Sequence, residues 1–432
     1  MKTSTKDNTV ATTPYQHQPP RDGEPLRVIM LASNFPKPGR ERMGVWAMSQ
    51  AQALRRQGVE LTVVSLTSWV PRALGRLSGS ETIRAWTSCP AEHSWDGLRV
   101  LYPRWSLYQK GAIWQHAFRN PGPHLALAWA SASKALLRAV DEVRPHALYV
   151  HYTLPNGELA RRIRELRGVP YVLTDHGRGE IDECEHMPAR RRTFGAVLDG
   201  ASTWTGVSTP MLRSVERLFP GTPAAVIPNG ADPLPAEVFA APRPPEIQGK
   251  TVVFSAGGFY PIKGFPDLVR AFAKVAPRYP DAVLRIVGDG SYRPQVEEAI
   301  RETGLAERVQ LLGSQLHART LQEMAWADIF ALLSWNESFG VVFLEAAAAG
   351  MPVIWTDDVG AADVLRDGVD GRMVKPRDID GAAAALDALL GDPDARRRMG
   401  ESAQKNFLDH LTWDACARKT ISLLRSAALS PR

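Results

Sequence analysis

Twice along the chain, short runs of β-branched and apolar residues alternate with glycine- or proline-marked loops and longer helical stretches. Leu26–Ala32 is the first such run, and a loop with Pro36, Pro38 and Gly39 follows it. Gly44 opens a helical stretch that ends near Gly58, and Val59–Ser65 is a second apolar run. Strand, helix and strand in that order predict a βαβ unit and a parallel sheet. Further strands are expected at Ala147–His151, Tyr171–Thr174 and Ala224–Ile227. From Leu234 to Lys250 the chain turns proline-rich and loses its periodicity, as a linker does. A second series starts at Thr251–Ala256 and runs through predicted helices Phe265–Val275, Tyr292–Thr303, Thr320–Ala325, Phe339–Ala349 and Asp380–Leu390. Its strands are expected at Ala282–Val287, Val309–Leu312, Ile329–Leu333 and Val353–Thr356. The fold class is α/β, with two doubly wound, Rossmann-like domains facing each other across a cleft at the carboxyl ends of their strands.

A length of 432 residues fits this division, because it exceeds what one core of ordinary size holds. The expected boundaries are a disordered polar tail over 1–24, an N-terminal domain over 25–235, a linker over 236–250, a C-terminal domain over 251–408 and a last helical segment over 409–432. That segment contains Trp413–Ala427 and is free to cross back to the N-terminal domain. The tail has no apolar h-region, so it is not read as a signal peptide. The most apolar stretch, Val341–Trp355, is broken by Glu345, Gly350 and Pro352, so no membrane span is expected. Cys89, Cys184 and Cys416 are far apart and odd in number, which fits a reducing cytosol rather than a disulfide framework.

The net charge is +6 and uneven. Residues 26–144 carry 16 Lys and Arg against 7 Asp and Glu. Either this is a solvated basic face, or it attracts an anionic membrane surface or acceptor. Nucleic acid is not expected, because no nucleic-acid-binding motif accompanies the charge. The same region is rich in aromatics, among them Trp69, Trp86, Trp105, Tyr108, Trp114, Phe118 and Trp129, interleaved with Arg72, Arg76, Arg84, Arg99, Arg104, Lys110 and Arg119. Leu107, Trp114 and Phe118 fall at the spacing of one helix face. Core packing and a lipid interface are both open readings.

The densest chemistry lies in Ser334-Trp-Asn-Glu-Ser-Phe-Gly-Val-Val-Phe-Leu-Glu-Ala-Ala-Ala-Ala-Gly-Met-Pro-Val353. A strand ends at Leu333 and a helix begins at Phe339 or Gly340. The start of a helix offers unpaired N–H groups and the positive end of its dipole, which favour a diphosphate. Glu337 stands just before the helix, and Glu345 interrupts its apolar run. A carboxylate in such a place needs partners, and a ribose diol supplies two hydroxyl donors. The residues alone leave open an ordinary buried helix with one salt-bridged Glu.

This stretch resembles the E-x7-E block of the large family of retaining, GT-B-fold glycosyltransferases, the family 4-like type that assembles polysaccharides and glycolipids. The resemblance extends in order from Leu26 to Leu390. Asn34-Phe-Pro with Gly44-Val45 is similar to the family's first loop, where a glycine lets donor phosphates approach the backbone. His151–Gly157 and Thr174-Asp-His-Gly177 resemble paired N-domain motifs, and Val226–Asp232 the segment that closes the first domain. Gly257–Phe265 resembles the phosphate-binding loop and Val287-Gly-Asp-Gly290 the base-side loop. The resemblance implies catalytic roles for His176, Glu337 and Lys263. It implies donor binding by Gly44, Gly258, Lys263, Gly288, Asp289, Glu337, Phe339, Gly340 and Glu345. Lys263 would meet the departing diphosphate, Glu345 the ribose, Glu337 the sugar hydroxyls, and His176 the transferred sugar. His151 matches a family position without a clear role. Asp175 and Arg178 are candidate sugar or acceptor contacts.

Two departures stand out. The family usually has an arginine where Gly258 stands, so one cation of the usual Arg/Lys pair is missing. At Val359–Asp363 the usual Gly-Gly and Glu are reduced to Gly360 and Asp363. No metal is expected: Asp378-Ile-Asp380 reads as a helix N-cap with a helix-start acid. Lys263 and the helix dipole can stabilise leaving-group charge without one.

The expected activity is transfer of a hexosyl group from a UDP- or GDP-sugar to a saccharide or lipid-linked acceptor, with retention. No cofactor besides the donor is expected, and the expected place is the cytoplasm, with peripheral attachment at the inner face of the cell membrane left open. A nucleotide-sugar epimerase or sugar phosphorylase on the same fold, or a non-catalytic sugar-nucleotide-binding protein, is the alternative.

Overall fold

The computed structural model describes residues 14–41, 43–107 and 111–429. Two parallel sheets organise them. The N-terminal sheet has eight strands in the spatial order Ala224–Val226, Thr203–Gly206, Tyr171–Asp175, Ala147–His151, Arg27–Leu31, Glu60–Val64, Leu98–Leu101 and Glu92–Trp95. Only Glu92–Trp95 runs antiparallel, pairing with Leu98–Leu101 at the edge. The C-terminal sheet has six parallel strands in the order Val309–Leu311, Ala282–Val287, Thr251–Ala256, Ile329–Ala331, Val353–Thr356 and Gly371–Val374. Central strands such as Ala147–His151 and Ala282–Val287 are buried along their whole length, as strands covered by helices on both faces must be.

Strand order reverses once in each sheet. In the N-terminal sheet Arg27–Leu31 lies between Ala147–His151 and Glu60–Val64. In the C-terminal sheet Thr251–Ala256 lies between Ala282–Val287 and Ile329–Ala331. At such a point the loops leaving neighbouring strands diverge to opposite faces and open a crevice. Asn34 and Tyr152 follow the strands of the first switch point and His151 ends one of them; Gly257, Lys263, Ser334 and Glu337 follow those of the second.

Several sequence expectations change. Residues 14–24, expected to belong to a disordered tail, are docked: Tyr15 is buried and its hydroxyl donates to the Pro145 carbonyl, while the His17 N–H donates to Arg167. Residues 1–13 of that tail lie outside the described residues. The proline-rich segment is not a free tether either. Ile247 is fully buried with Val252, Val283 and Trp326, and Arg243 pairs with Asp328 at 2.8 Å. Leu107 precedes the helix Gly111–Arg119 rather than sharing its face with Trp114 and Phe118. Of the aromatic region, Tyr102, Trp105 and Leu107 are core residues. Tyr108 and Lys110 lie outside the described residues, as do the side chains of Arg72 and Arg76.

The last helix, Trp413–Leu429, packs on the first helix, Val45–Arg56, of the N-terminal domain and on Ala147–His151. Gln50 donates to Tyr149 Oη at 2.8 Å beside Cys416, and Arg56 pairs with Asp414 at the rim. Cys89, Cys184 and Cys416 are all unpaired and buried. No described helix is long and apolar enough to cross a membrane. Leu424 is fully buried in this helix contact. Leu424→Ala should therefore lower stability by about 2–4 kcal/mol although it lies outside both sheets, read as a reduced midpoint in urea unfolding.

Candidate functional site

The helix Val341–Ala348 starts at Gly340, whose φ of 87° suits glycine; a Cβ there would lie 2.6 Å from the Phe343 ring. Glu337 sits one turn ahead of it. Its Oε1 accepts from Lys263 Nζ at 2.6 Å and its Oε2 from Ser334 Oγ at 2.7 Å. Both charges are about four-fifths or more buried, so solvent screens the pair little. Lys263 comes from the loop after Thr251–Ala256, and the Trp335 N–H donating to Ile262 O fastens that loop to the Ser334–Glu337 segment. Glu345 lies a full turn into the helix and accepts from His317 Nε2 at 2.8 Å, a bond that raises the imidazole's pKa. Phe339 is buried beneath the helix start.

A Cβ at Gly258 would lie 2.6 Å from the ring of Tyr260, an exposed side chain. Asp289 packs against the same loop, its carbonyl accepting from Phe259 N–H at 2.9 Å, while Gly288 N–H donates to Gly313 O at 2.9 Å beyond the strand Val309–Leu311. The Asp289 carboxylate accepts from Gly290 N–H and faces Arg293. Asp378 accepts from Gly381 N–H and caps the helix Ile379–Gly391.

From the other domain, His176 opens the loop after Tyr171–Asp175. It packs on Trp46 at 4.1 Å between ring centroids and on His151 at 5.0 Å. Burial holds His176 down at about 4, and the bond from Nδ1 to Asn229 Oδ1 at 3.2 Å opposes that shift. The imidazole is neutral at pH 7. With Nδ1–H donated to Asn229, Nε2 is left as an acceptor, and among the described residues it has no partner. His151 is pushed well below its usual value by burial, with His176 adding to the shift. It stacks on Trp46 at 5.3 Å.

Asp175 is not available to a ligand. Its oxygens accept from Thr153 N–H, Thr153 Oγ1 and Trp204 Nε1, which consumes the carboxylate inside the fold. Arg178 bridges the domains instead: its N–H donates to Ser338 Oγ at 2.9 Å, and its guanidinium pairs with Asp182 at 2.8 Å. This bond brings the His176 loop and the Glu337 loop to one place. Asp363 also crosses the cleft, where its carboxylate accepts from Thr209 N–H at the start of Thr209–Leu218. Gly44 has φ 68°, and a Cβ there would lie 2.2 Å from the Asn34 carbonyl oxygen, so close backbone approach inside the chain already demands glycine. Trp46 and His317 lie outside the sequence motifs, whereas Asn229 lies within Val226–Asp232 and Ser334 opens the Ser334–Val353 stretch, neither with a role of its own there. Trp46 stands two residues after Gly44, whereas Asn229 and His317 have no spacing relation to their partners.

The chain matches two protein families: Glycosyltransferase Family 4 over residues 43–233 and Glycosyl transferases group 1 over residues 240–406. A D-inositol 3-phosphate glycosyltransferase of Corynebacterium diphtheriae is 30% identical over 317 residues, 66% of this chain and 72% of that one. Another of that description from Nocardia farcinica is 38% identical over 303 residues; the match spans 68% of this chain and only 59% of the relative. A GDP-mannose-dependent alpha-(1-6)-phosphatidylinositol monomannoside mannosyltransferase of Mycobacterium tuberculosis is 29% identical over 420 residues, 92% of this chain and 98% of that one. Among solved structures, sucrose-phosphate synthase from Thermosynechococcus elongatus superposes with a TM-score of 0.69 at 20% identity, covering 94% of this chain and all of that one. Anabaena HepE in complex with UDP superposes with a TM-score of 0.65 at 18% identity, over 93% of this chain and all of that one. At that identity these two support the two-domain GT-B fold.

The buried neutral histidines make stability depend on pH. Their folded values lie below the usual 6.5, so the unfolded chain binds more protons and acid weakens the fold. Between pH 6.5 and about 4, His176 alone should cost up to about 1.4 kcal/mol per pH unit. Urea unfolding at pH 7.5 and pH 5 should show His176→Gln losing less stability on acidification than the parent chain; equal losses would refute the assignment.

Proposed function

This chain belongs to glycosyltransferase family 4, and we propose that it is a retaining hexosyltransferase acting on a UDP- or GDP-sugar and a saccharide or lipid-linked acceptor. The observation that carries this reading is the Lys263–Glu337–Ser334 cluster at one switch point, joined through the Ser338–Arg178 bond to the His176 loop at the other. A donor lying across this junction would place its diphosphate at Lys263 and at the first turn of Val341–Ala348, where unpaired N–H groups and the dipole favour negative charge. Glu345 would take the ribose hydroxyls, which compete with His317 for the same oxygen. Glu337 would accept from sugar hydroxyls while keeping Lys263 aimed. His176 Nε2, neutral and unpaired, would accept from another sugar hydroxyl.

The acceptor O–H adds to the anomeric carbon as the bond to the diphosphate oxygen breaks; the diphosphate leaves and the hydroxyl proton is released. Lys263 and the helix start stabilise the charge that builds on the leaving oxygens. No metal is needed for that task. We assign no covalent nucleophile. The basic N-terminal half and the relatives that act on inositol lipids and inositol phosphates support work in the cytoplasm at the inner membrane face, in polysaccharide or glycolipid assembly.

A panel of UDP-, GDP- and ADP-sugars with lipid-linked and soluble acceptors, read for nucleoside diphosphate release, tests the reading. Acceptor-dependent release with one pair is expected, and the new anomeric centre should keep the donor's configuration by proton NMR. Conversion of the donor alone would mean an epimerase, a need for inorganic phosphate a phosphorylase, and donor binding without turnover a binding protein. Lys263→Ala should weaken nucleoside diphosphate binding by about tenfold or more, the scale of a lost charge-assisted contact. Glu337→Ala should lower turnover by about a hundredfold or more, since it removes both a sugar contact and the carboxylate that keeps Lys263 aimed. Activity should survive EDTA; loss restored by a divalent ion would overturn the metal-free assignment.

A further inference from the structure

His317 opens the helix His317–Ala325, and its side chain is exposed. A cation at this end of a helix is opposed by the positive end of the dipole. The imidazole is nonetheless held above its usual 6.5. The hydrogen bond from Nε2 to Glu345 Oε1, at 2.8 Å, is the main cause; the charges of Glu345 and Asp232 add to it, and partial burial works against them.

The two carboxylates come from opposite sides of the cleft. Glu345 stands on the helix Val341–Ala348 of the C-terminal domain. Asp232 belongs to the N-terminal domain, where it accepts from Ser49 Oγ of the first helix at 2.8 Å. Of the other charges on elements packed here, Arg319 pairs with Glu323 at 2.6 Å and lies over the Trp326 ring. Glu237, on the helix Ala236–Ala240 that packs against His317–Ala325, is exposed, so solvent screens it.

A vicinal diol donates best to both oxygens of one carboxylate. His317 already holds Oε1 of Glu345, so a ribose that takes this carboxylate must displace the imidazole from it. We propose that His317 is a positioning residue of the donor site: it latches Glu345 in the free protein, the ribose of a nucleotide sugar displaces it, and the displaced imidazolium gives up its proton to solvent. This rests on the ribose role of Glu345 in the transferase reading above and adds a proton to the binding reaction.

The sign follows from linkage. Without Glu345 the imidazole returns toward 6.5. Between 6.5 and the raised value of the free protein, donor binding therefore expels a proton, and affinity rises with pH by up to about tenfold per pH unit. Below 6.5 the imidazole stays charged in both states, and this dependence levels off.

Isothermal titration calorimetry of the whole protein with UDP-glucose, GDP-mannose and ADP-glucose, in two buffers of different ionisation heat, counts the protons. These donors carry no group that titrates between about pH 6 and pH 8, so a buffer-dependent heat reports the protein. At least one donor should bind with release of a measurable fraction of a proton at pH 7, and about threefold or more tighter at pH 8 than at pH 6. His317→Gln and His317→Ala should each abolish the release, level the affinity across that range, and bind donor tighter than the parent at pH 6. The side chain is exposed at a helix start, so both variants keep the fold. Donor binding without proton release in the parent, or release that persists in both variants, overturns the proposal and leaves the transferase reading standing. Failure of every donor to bind at either pH overturns both.

Discussion

Parallel pairing forces every loop that leaves a strand's carboxyl end onto one edge of its sheet, and both sheets here are parallel through their centres. That constraint decides where function can sit. All the loops free to carry chemistry collect at two edges, and the crevices lie where strand order reverses. The chain then has to keep those edges facing one another. It does so with a return: Trp413–Leu429 leaves the C-terminal domain and packs on Val45–Arg56 of the first. Ala231 pairs with the Leu411–Trp413 segment at the crossing. Arg178 with Ser338, and Thr209 with Asp363, tie the cleft walls directly.

The cleft handles charge in contrasting ways. Lys263 and Glu337 neutralise one another before any ligand arrives, and a diphosphate would have to share the cation with the carboxylate. Glu345 is occupied by His317 in the same fashion. These pairs leave the loops at the C-terminal domain's switch point with little net charge. His176 and His151 take the opposite course: burial strips them of charge, which leaves a neutral hydrogen-bonding edge. Lys37 does neither: it is 1% exposed and donates to Ser33 O at 3.0 Å and Ser65 Oγ at 2.8 Å, with no carboxylate within ion-pair distance among the described residues.

The two departures from the family pattern also stand in defined surroundings. The exposed Tyr260 ring lies over Gly258 in this chain. Asp363 is spent across the cleft, capping the helix Thr209–Leu218 of the other domain.

The sequence by itself determined the two α/β halves, most strand and helix positions, and the ordered motifs that marked Glu337, Glu345, Lys263 and His176. Those features are written locally: apolar runs of strand length, glycines where the backbone must turn or approach, and carboxylates around a helix start. Local pattern failed where a contact joins distant residues. Asn229 sets the tautomer of His176 from 53 positions away, and His317 meets Glu345 across 28. Tyr15 docks beside residues more than a hundred positions on. Asp175 looked like a ligand group and is consumed by Thr153 and Trp204. The aromatic and basic region was ambiguous because composition does not say which way a ring points; packing turned Tyr102 and Trp105 inward and gathered three tryptophans around one cavity. Only the tertiary structure decided these, because burial and the pairing of buried polar groups are properties of what surrounds a residue in space, not of its neighbours along the chain.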